Sequence, residues 1–459
     1  MRPRTVAFAA LVAAVSQAAP AIDLLGAWRA AQKGDFEYSA AQSAGAAGQA
    51  RRAQADNLWN PSLALNATAG VGLAESSTSG ARFSAPGFGQ SNGVSFNTSV
   101  NHGASGRLRV VARQPLMSAE RSAQQRQLEL GANVAAVELE AAEQAMALRV
   151  AEAYFDLAMA AEAERVLRRQ QVAVERALVQ AKDRFSLGDV PITDTHEATA
   201  RAESVKAQVL AAETEIELRR AALADLTGLP AAQLVARAPA TVIAGADLPS
   251  LERALAAAAA NNPALRARAV AIDIARQEVG KHAAGAAASV DLVAQFGRER
   301  ITGSGDFGSA SSGASNGLIG VQVSLPFTMG AYRSARQDEA LRMVEKAQAE
   351  LQRARQQIAL QTRTAWLGLS VGRGRINALA EAQKASHARL DATRLGRSIG
   401  DRTTLDLLNA ESDAAAADLN LTRARVGLLL DRLRLAALAG ALDEALLLAV
   451  NANLGEASR

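Results

Sequence analysis

From Pro61 apolar and polar residues alternate. Leu63, Leu65, Ala67, Ala69 and Val71 take one side and Ser62, Ala64, Asn66, Thr68 and Gly70 the other, a period of two that gives a strand one apolar face. Alternation resumes with Val94, Phe96 and Val100, continues after Gly106 with Leu108, Val110 and Ala112 against Arg107, Arg109 and Arg113, and returns with Val290, Leu292, Ala294 and Phe296 and then Ile319, Val321, Val323 and Leu325. The pattern predicts two hairpins, about 61–115 and 288–327, closed by Pro115 and Pro326, with the Ser/Gly-rich stretches 74–93 and 302–316 as loops. Beyond each hairpin the period lengthens. Val344, Ala347, Leu351, Ala354, Ile358 and Ala365 follow heptad-like steps, so 119–182 and 333–395 read as single helices, each roughly 95 Å long at about 1.5 Å per residue. Helices about half as long are predicted over 193–228 and 404–438, from Asp23 to about Asp56, and from Ser250 to about Lys281. Two such halves stacked end to end match one full-length neighbour.

The pattern occurs twice. Gly188, Asp189 and Asp194 recur at Gly400, Asp401 and Asp406, and the same shift of 212 positions carries Arg121-Ser122-Ala123 onto Arg333-Ser334-Ala335 and Gly228 onto Gly440. Alanine-rich sequences match themselves easily, but here Gly, Asp, Arg and Ser hold the register, so the chain is two copies of one unit. The units are expected at 19–230 and 248–459, joined by a linker over 231–247, with tip turns at 184–192 and 396–404.

Composition sharpens this picture. Of 459 residues only 3% are aromatic, which suits closely packed alanine-rich helices, and a net charge of +4 scattered among acids offers no nucleic-acid surface. Arg2 and Arg4 precede an apolar run from Val6 to Val15 and the small-residue site Ser16-Gln17-Ala18, so residues 1–18 read as a secretory signal peptide. No cysteine is present to form disulfides or to carry a lipid. The strongest later apolar stretch, Val426 to Val450, contains Asp431, Arg432, Arg434 and Asp443, so no membrane-spanning helix is expected.

Four strands with one apolar face can face lipid or a soluble core. They cannot close a membrane barrel alone, because single-chain barrels start at about eight strands, and an open sheet in lipid leaves backbone groups unpaired. In a membrane, several chains must pool their strands. The soluble alternative is a small sheet capping a coiled coil.

The signal peptide, the two tandem units, the hairpins interrupting long helices and the motif Gly400-x-x-Thr403-x-x-Asp406-x-Leu408-x-Ala410 together resemble the TolC-like outer-membrane channels of Gram-negative bacteria. The likeness covers essentially the whole mature chain. It implies an α+β membrane protein of two tandem repeats, assembled as a homotrimer whose twelve pooled strands form one β-barrel continued by a periplasmic α-helical barrel. It also implies an outer-membrane location and a tunnel that narrows at the turns near 188 and 400, where inner-membrane transport complexes dock. By position, Asp194 matches the acidic partner in the first-repeat turn, Arg402 the arginine that holds it, and Asp406 an acidic ring in the entrance. Two positions depart from the family pattern: Asn409 stands where a second acidic ring residue can occur, and Arg397 where an aromatic gate partner can occur. Three Asp406 side chains in a narrow opening would favour cations. The plainer reading is that Asp194 and Asp406 suit helix N-termini, and that Gly188 and Gly400 with Asp189 and Asp401 simply make turns.

No catalytic chemistry is legible. Gly303-Ser304-Gly305-Asp306-Phe307-Gly308 matches a dinucleotide fingerprint by letter but opens no helix, and His102, His196, His282 and His387 are scattered without metal spacing. No cofactor, metal or enzymatic activity is expected. The sequence predicts an exit duct opened by a periplasmic adaptor (membrane-fusion protein) and an inner-membrane ABC transporter, or alternatively a proton-driven pump. The tail LAALAGALDEALLLAVNANL resembles members serving type I protein secretion, which favours a cargo such as a repeats-in-toxin protein over drugs or metals. From a different class, a periplasmic coiled-coil scaffold remains open at this point.

Overall fold

A computed structural model describes residues 22–240, 248–284, 287–306, 308–325 and 330–454. The signal peptide read at 1–18, Pro326 and the linker positions 241–247 lie outside them.

Four strands form one antiparallel sheet in the order β1 (Ser62–Ala85), β2 (Gly89–Met117), β3 (Ser289–Gly305), β4 (Gly308–Ser324). The expectation that 74–93 and 302–316 are loops is corrected here. Both stretches are strand almost to the hairpin tips: Ala74–Thr78 pairs with Phe96–Val100, and Thr302–Gly305 with Gly308–Ser311. Two of the glycines misread as loop residues sit where backbones crowd. A Cβ at Gly303 would lie 1.9 Å from the His102 carbonyl oxygen, and one at Gly305 2.1 Å from that of Ser99. β2 also outlasts Pro115, continuing to Met117 through an irregularity in its pairing with β3.

The cross-strand register separates two faces. Leu65, Val110, Phe296 and Gly317 share a row of one face, as do Leu63, Ala112, Ala294 and Ile319. Among the described residues this face is largely bare: Leu65 is 67% exposed, Ile319 80% and Val321 62%. The other face carries Asn66, Thr68, Arg107, Arg109, Arg113, Gln295 and Glu299, and Arg107 pairs with Glu299 at 2.8 Å while Arg113 pairs with Asp291. The sheet belongs to one of two compact units, formed by Ala47–Val134 and Ala269–Ala349.

The second unit is helical. It holds α1 (Leu24–Gly34), α4 (Ile192–Thr227), α5 (Leu251–Asn261), α8 (Thr404–Leu438) and α9 (Glu444–Asn451), and it shares α2 (Phe36–Asp56), α3 (Ala119–Ser186), α6 (Pro263–Ala284) and α7 (Gly330–Ser398) with the first. Its core gathers Leu24 and Trp28 of α1, Met146, Val150, Tyr154 and Phe155 of α3, Leu223 of α4, Leu429 and Leu433 of α8, and Leu447 and Val450 of α9. The segment after α4 is tied down here: its Arg237 N–H donates to the Tyr154 hydroxyl at 3.1 Å, and burial pushes that hydroxyl's pKa up to about 12 against the effect of Arg237.

Asp23 and Ser250 cap helices as predicted, accepting from the Gly26 and Arg253 N–H groups at 2.7 and 3.3 Å. Neither helix runs on to the length expected. Each breaks after eleven residues, α1 at Asp35 and α5 at Asn262, because the break residue starts a new helix with its own side chain: Asp35 accepts from the Glu37 N–H at 2.8 Å and Asn262 from the Leu265 N–H at 3.2 Å. The C-termini of the half-length helices abut these joints. Gly228, past the end of α4, touches Gly34, and Asn262 donates to the Leu438 carbonyl of α8 at 2.9 Å. The end of α4 thus meets the α1–α2 joint and the end of α8 the α5–α6 joint.

Candidate functional site

The two hairpin tips of the helical unit carry the predicted site. Each long helix ends in a left-handed glycine, Gly188 at φ 79° and Gly400 at φ 86°. After each glycine the chain folds back: Asp189 N–H reaches the Arg184 carbonyl and Asp401 N–H the Gly396 carbonyl, both at 2.9 Å, while Gly188 and Gly400 N–H reach Phe185 and Arg397 at 3.0 and 3.2 Å. These paired bonds satisfy the last carbonyls of α3 and α7, and only glycine reaches that backbone conformation cheaply.

The returning helices start differently. α4 has Pro191 at its N-cap with no side-chain hydrogen bond, which leaves Asp194, half-buried in the first turn, outside any cap. α8 starts with a complete capping box: the Thr403 hydroxyl accepts from the Asp406 N–H at 3.1 Å, and the Asp406 carboxylate accepts from the Thr403 N–H at 3.0 Å. Those bonds from the Thr403 backbone and hydroxyl hold the Asp406 carboxyl below the ordinary carboxylate value.

Arg397 is the buried charge at the tip. Only 7% exposed, it donates to Gln180 of α3 at 3.1 Å. Burial lowers its pKa and repulsion from Arg184 lowers it further, while Asp194 pulls the other way. Within one chain Asp194 therefore acts on Arg397. Arg402 is exposed, its stem lying over Gly396, and among the described residues it makes no ion pair with Asp194. Asn409 is exposed on α8. Sequence reasoning missed Gln180 and Arg184, which carry no motif and lie more than two hundred residues before Arg397.

Side-chain chemistry also differs between the hairpins. α3 and α4 are zipped by a buried seam of Val174, Ala177, Ala181, Ala198, Ala202 and Val205, into which Leu408 of α8 inserts. Near their tip α7 and α8 share a small apolar cluster, Leu390 with Ala410 and Ala414, and are also joined by polar rungs. Arg389 pairs with Asp413, Arg394 with Glu411 at 2.6 Å, and His387 with Asp418 at 2.9 Å. Burial pushes the Asp418 carboxyl up, but the hydrogen bonds from His387 and Gln383 and the charge of Arg169 outweigh it and leave the carboxyl below its ordinary value.

Long helices returning through glycine turns, together with a sheet whose apolar face the chain leaves bare, define an outer-membrane channel protomer. The comparisons agree. Residues 27–229 and 254–441 match the family described as outer membrane efflux protein, and the chain belongs to that family. It is a TolC-like efflux channel of the Gram-negative outer membrane with a long periplasmic helical portion, so the soluble cap and the periplasmic scaffold fall away. It is similar to the outer membrane protein TolC of Vibrio cholerae, 29% identical over 321 residues that cover 70% of this chain and 73% of the relative. It is also similar to the alkaline protease secretion protein AprF of Pseudomonas aeruginosa, 28% identical over 68% of this chain and 64% of the relative. In fold it is similar to the outer membrane protein VceC of Vibrio cholerae, whose crystal structure aligns at a TM-score of 0.73 over 92% of this chain and 97% of that one, at 21% identity.

Proposed function

We infer that the chain is the exit duct of a tripartite export system. Three copies pool their twelve strands into one barrel, and their helices form the periplasmic duct closed at the tips. The observation that carries this reading is the unpartnered apolar sheet face, because four strands with two free edges and bare leucines, valines and isoleucines are stable in lipid only when further copies close the sheet. Transport energy comes from an inner-membrane transporter, reached through a periplasmic adaptor.

At the tips, Arg397 holds α7 against Gln180 of α3, and Asp194 supplies the opposing charge. Opening means moving α7 and α8 away from α3 and α4. That movement breaks one partly buried hydrogen bond, withdraws Leu408 from the α3–α4 seam and releases a desolvated arginine to water. Arg402 acts across the boundary between protomers, on the Asp194 of a neighbouring copy, and Asp406 lines the entrance with Asn409 one turn further on.

Protein secretion is the favoured cargo class, supported by similarity to a relative named for protease secretion. Small-molecule efflux is the second reading, supported by the family's description. Expressing the chain in a Gram-negative strain that lacks its own exit ducts, first with a type I secretion transporter and adaptor and then with a drug pump and adaptor, tests both. Protein in the medium with no gain in drug resistance supports secretion. Drug resistance without secreted protein reverses the choice, and neither outcome in cells that hold the trimer in the outer membrane contradicts the duct.

A further inference from the structure

On the β3–β4 hairpin the apolar face stops abruptly. From the helix-joined end β3 shows Val290, Leu292, Ala294 and Phe296, then Arg298, Arg300, Thr302 and Ser304, while β4 beside it shows Val323, Val321, Ile319 and Gly317, then Ser315, Gly313, Ser311 and Ser309. Arg298 and Arg300 are thus two consecutive cations on a face that otherwise carries apolar and small residues apart from Gln114 and His102 at its two ends, and both are exposed. Neither forms an ion pair or hydrogen bond among the described residues, in contrast to Arg107 and Arg113 on the opposite face. The carboxylates of β3, Asp291 and Glu299, lie on that opposite face.

Their neighbours leave room for a headgroup. Arg300 is flanked by Gly106 and Gly313, and Arg298 by Leu108 and Ser315. A Cβ at Gly106 would meet nothing within 4 Å. At about 3.4 Å per residue and a tilt near 40°, Arg298 and Arg300 stand about 20–26 Å above Val290, the height of an outer-membrane apolar band of about 25 Å. β3 is an inner strand, paired on both edges, so copies that close the barrel must join at β1 and β4 and leave Arg298 and Arg300 uncovered.

We propose that Arg298 and Arg300 form a binding site for the phosphate of an outer-leaflet lipid headgroup, with lipid A as the representative ligand. Guanidinium groups match phosphate with two parallel hydrogen bonds, and their stems can lie on the apolar rows while the charge reaches the headgroups. The inference rests on the barrel reading above.

The test is native mass spectrometry of the detergent-purified oligomer titrated with lipid A, with the same lipid after dephosphorylation, and with inorganic phosphate alone. Wild type should retain lipid A, bind the dephosphorylated lipid far more weakly and hold no free phosphate. Arg298→Gln with Arg300→Gln should weaken lipid A binding on the order of thirtyfold, at about 1 kcal/mol per arginine at a membrane surface. Arg109→Gln, an unpaired arginine on the opposite face, should change nothing. Equal binding by wild type and the double variant, or equal binding of phosphorylated and dephosphorylated lipid, would overturn the site. The same samples are inserted into phosphatidylcholine bilayers. If the double variant conducts there like wild type, an unchanged lipid A affinity condemns the site alone, whereas a wild type that neither oligomerises nor inserts removes the barrel and the site with it.

Discussion

The hairpins α3–α4 and α7–α8 descend from one duplicated sequence and turn on the same left-handed glycine, yet near their tips they are fastened differently, the ion pairs that also join α3 to α4, Arg168–Glu213 and Arg219–Asp156, lying further from the turn. The first is zipped by valines and alanines and has no side-chain cap on its returning helix. The second is capped by Thr403 and Asp406 and, near its tip, joined by ion pairs whose arginines are about half exposed beside a small apolar cluster. Apolar seams resist sliding because every displacement exposes surface, whereas exposed ion pairs contribute little and re-form with water or new partners. Under the proposed opening, the first hairpin is expected to be the static half and the second, whose tip pairs can re-form, the moving half. The cap keeps the moving half helical while it moves.

Breaking the seam should have the largest effect. Leu408→Ala removes the one side chain that α8 places in the α3–α4 cluster and should cost about 3 kcal/mol, read as lost hydrogen-exchange protection in α3 and α4 as well as α8. Gly188→Ala and Gly400→Ala should each cost about 1 kcal/mol, because alanine is strained at positive φ. These losses should be alike in the two hairpins, since both turns use the same bonds. Thr403→Ala should cost about 1 kcal/mol in the first turn of α8 and has no counterpart at Pro191, so it separates the two tips directly. Raising ionic strength should loosen the tip of α7–α8 by less than about 1 kcal/mol per exposed pair and should leave the apolar α3–α4 seam between Val174 and Val205 unchanged, its effect on that hairpin falling instead at the Arg168–Glu213 and Arg219–Asp156 pairs away from the tip, which exchange rates in low and high salt would show.

The smallest effect is on pH. Because the folded Asp406 carboxyl lies below the ordinary value of 3.8, its contribution is present above that value and is lost as pH falls through the depressed one. Exchange at the start of α8 should therefore quicken only in strong acid, and Thr403→Ala should weaken that dependence without abolishing it, because the backbone N–H at position 403 still donates to Asp406.

Much of this architecture was readable from the chain. The recurrence of Gly188 and Asp194 at Gly400 and Asp406 gave the duplication, and period-two and heptad patterns placed the outer ends of the hairpins and the long helices within a few residues. The breaks at Asp35 and Asn262 were missed, although Asn262 before Pro263 is a cap followed by the residue best suited to a first helical position. The joints also diverged in concert: Asp35 pairs with Arg149 at 2.6 Å, while the second copy has Asn262 and, at the position matching Arg149, Gln361. Losing both charges together leaves no unpaired ion, which explains how the second joint stays intact without its salt bridge. The Ser/Gly segments were misread because composition alone does not distinguish a loop from strands in close approach. Arg397 was singled out for its position, but its bond to Gln180 depends on the rotation of two long helices about their axes, which no local pattern records.

Single-channel conductance in a planar bilayer tests the closed tip most directly, comparing wild type with Arg397→Ala and with Asp194→Ala combined with Arg402→Ala. The account predicts a small wild-type conductance that rises several-fold in both variants, more in the second if Arg402 reaches Asp194 between protomers. Conductance unchanged in both variants, with the oligomer intact, would contradict the closure assigned to Arg397.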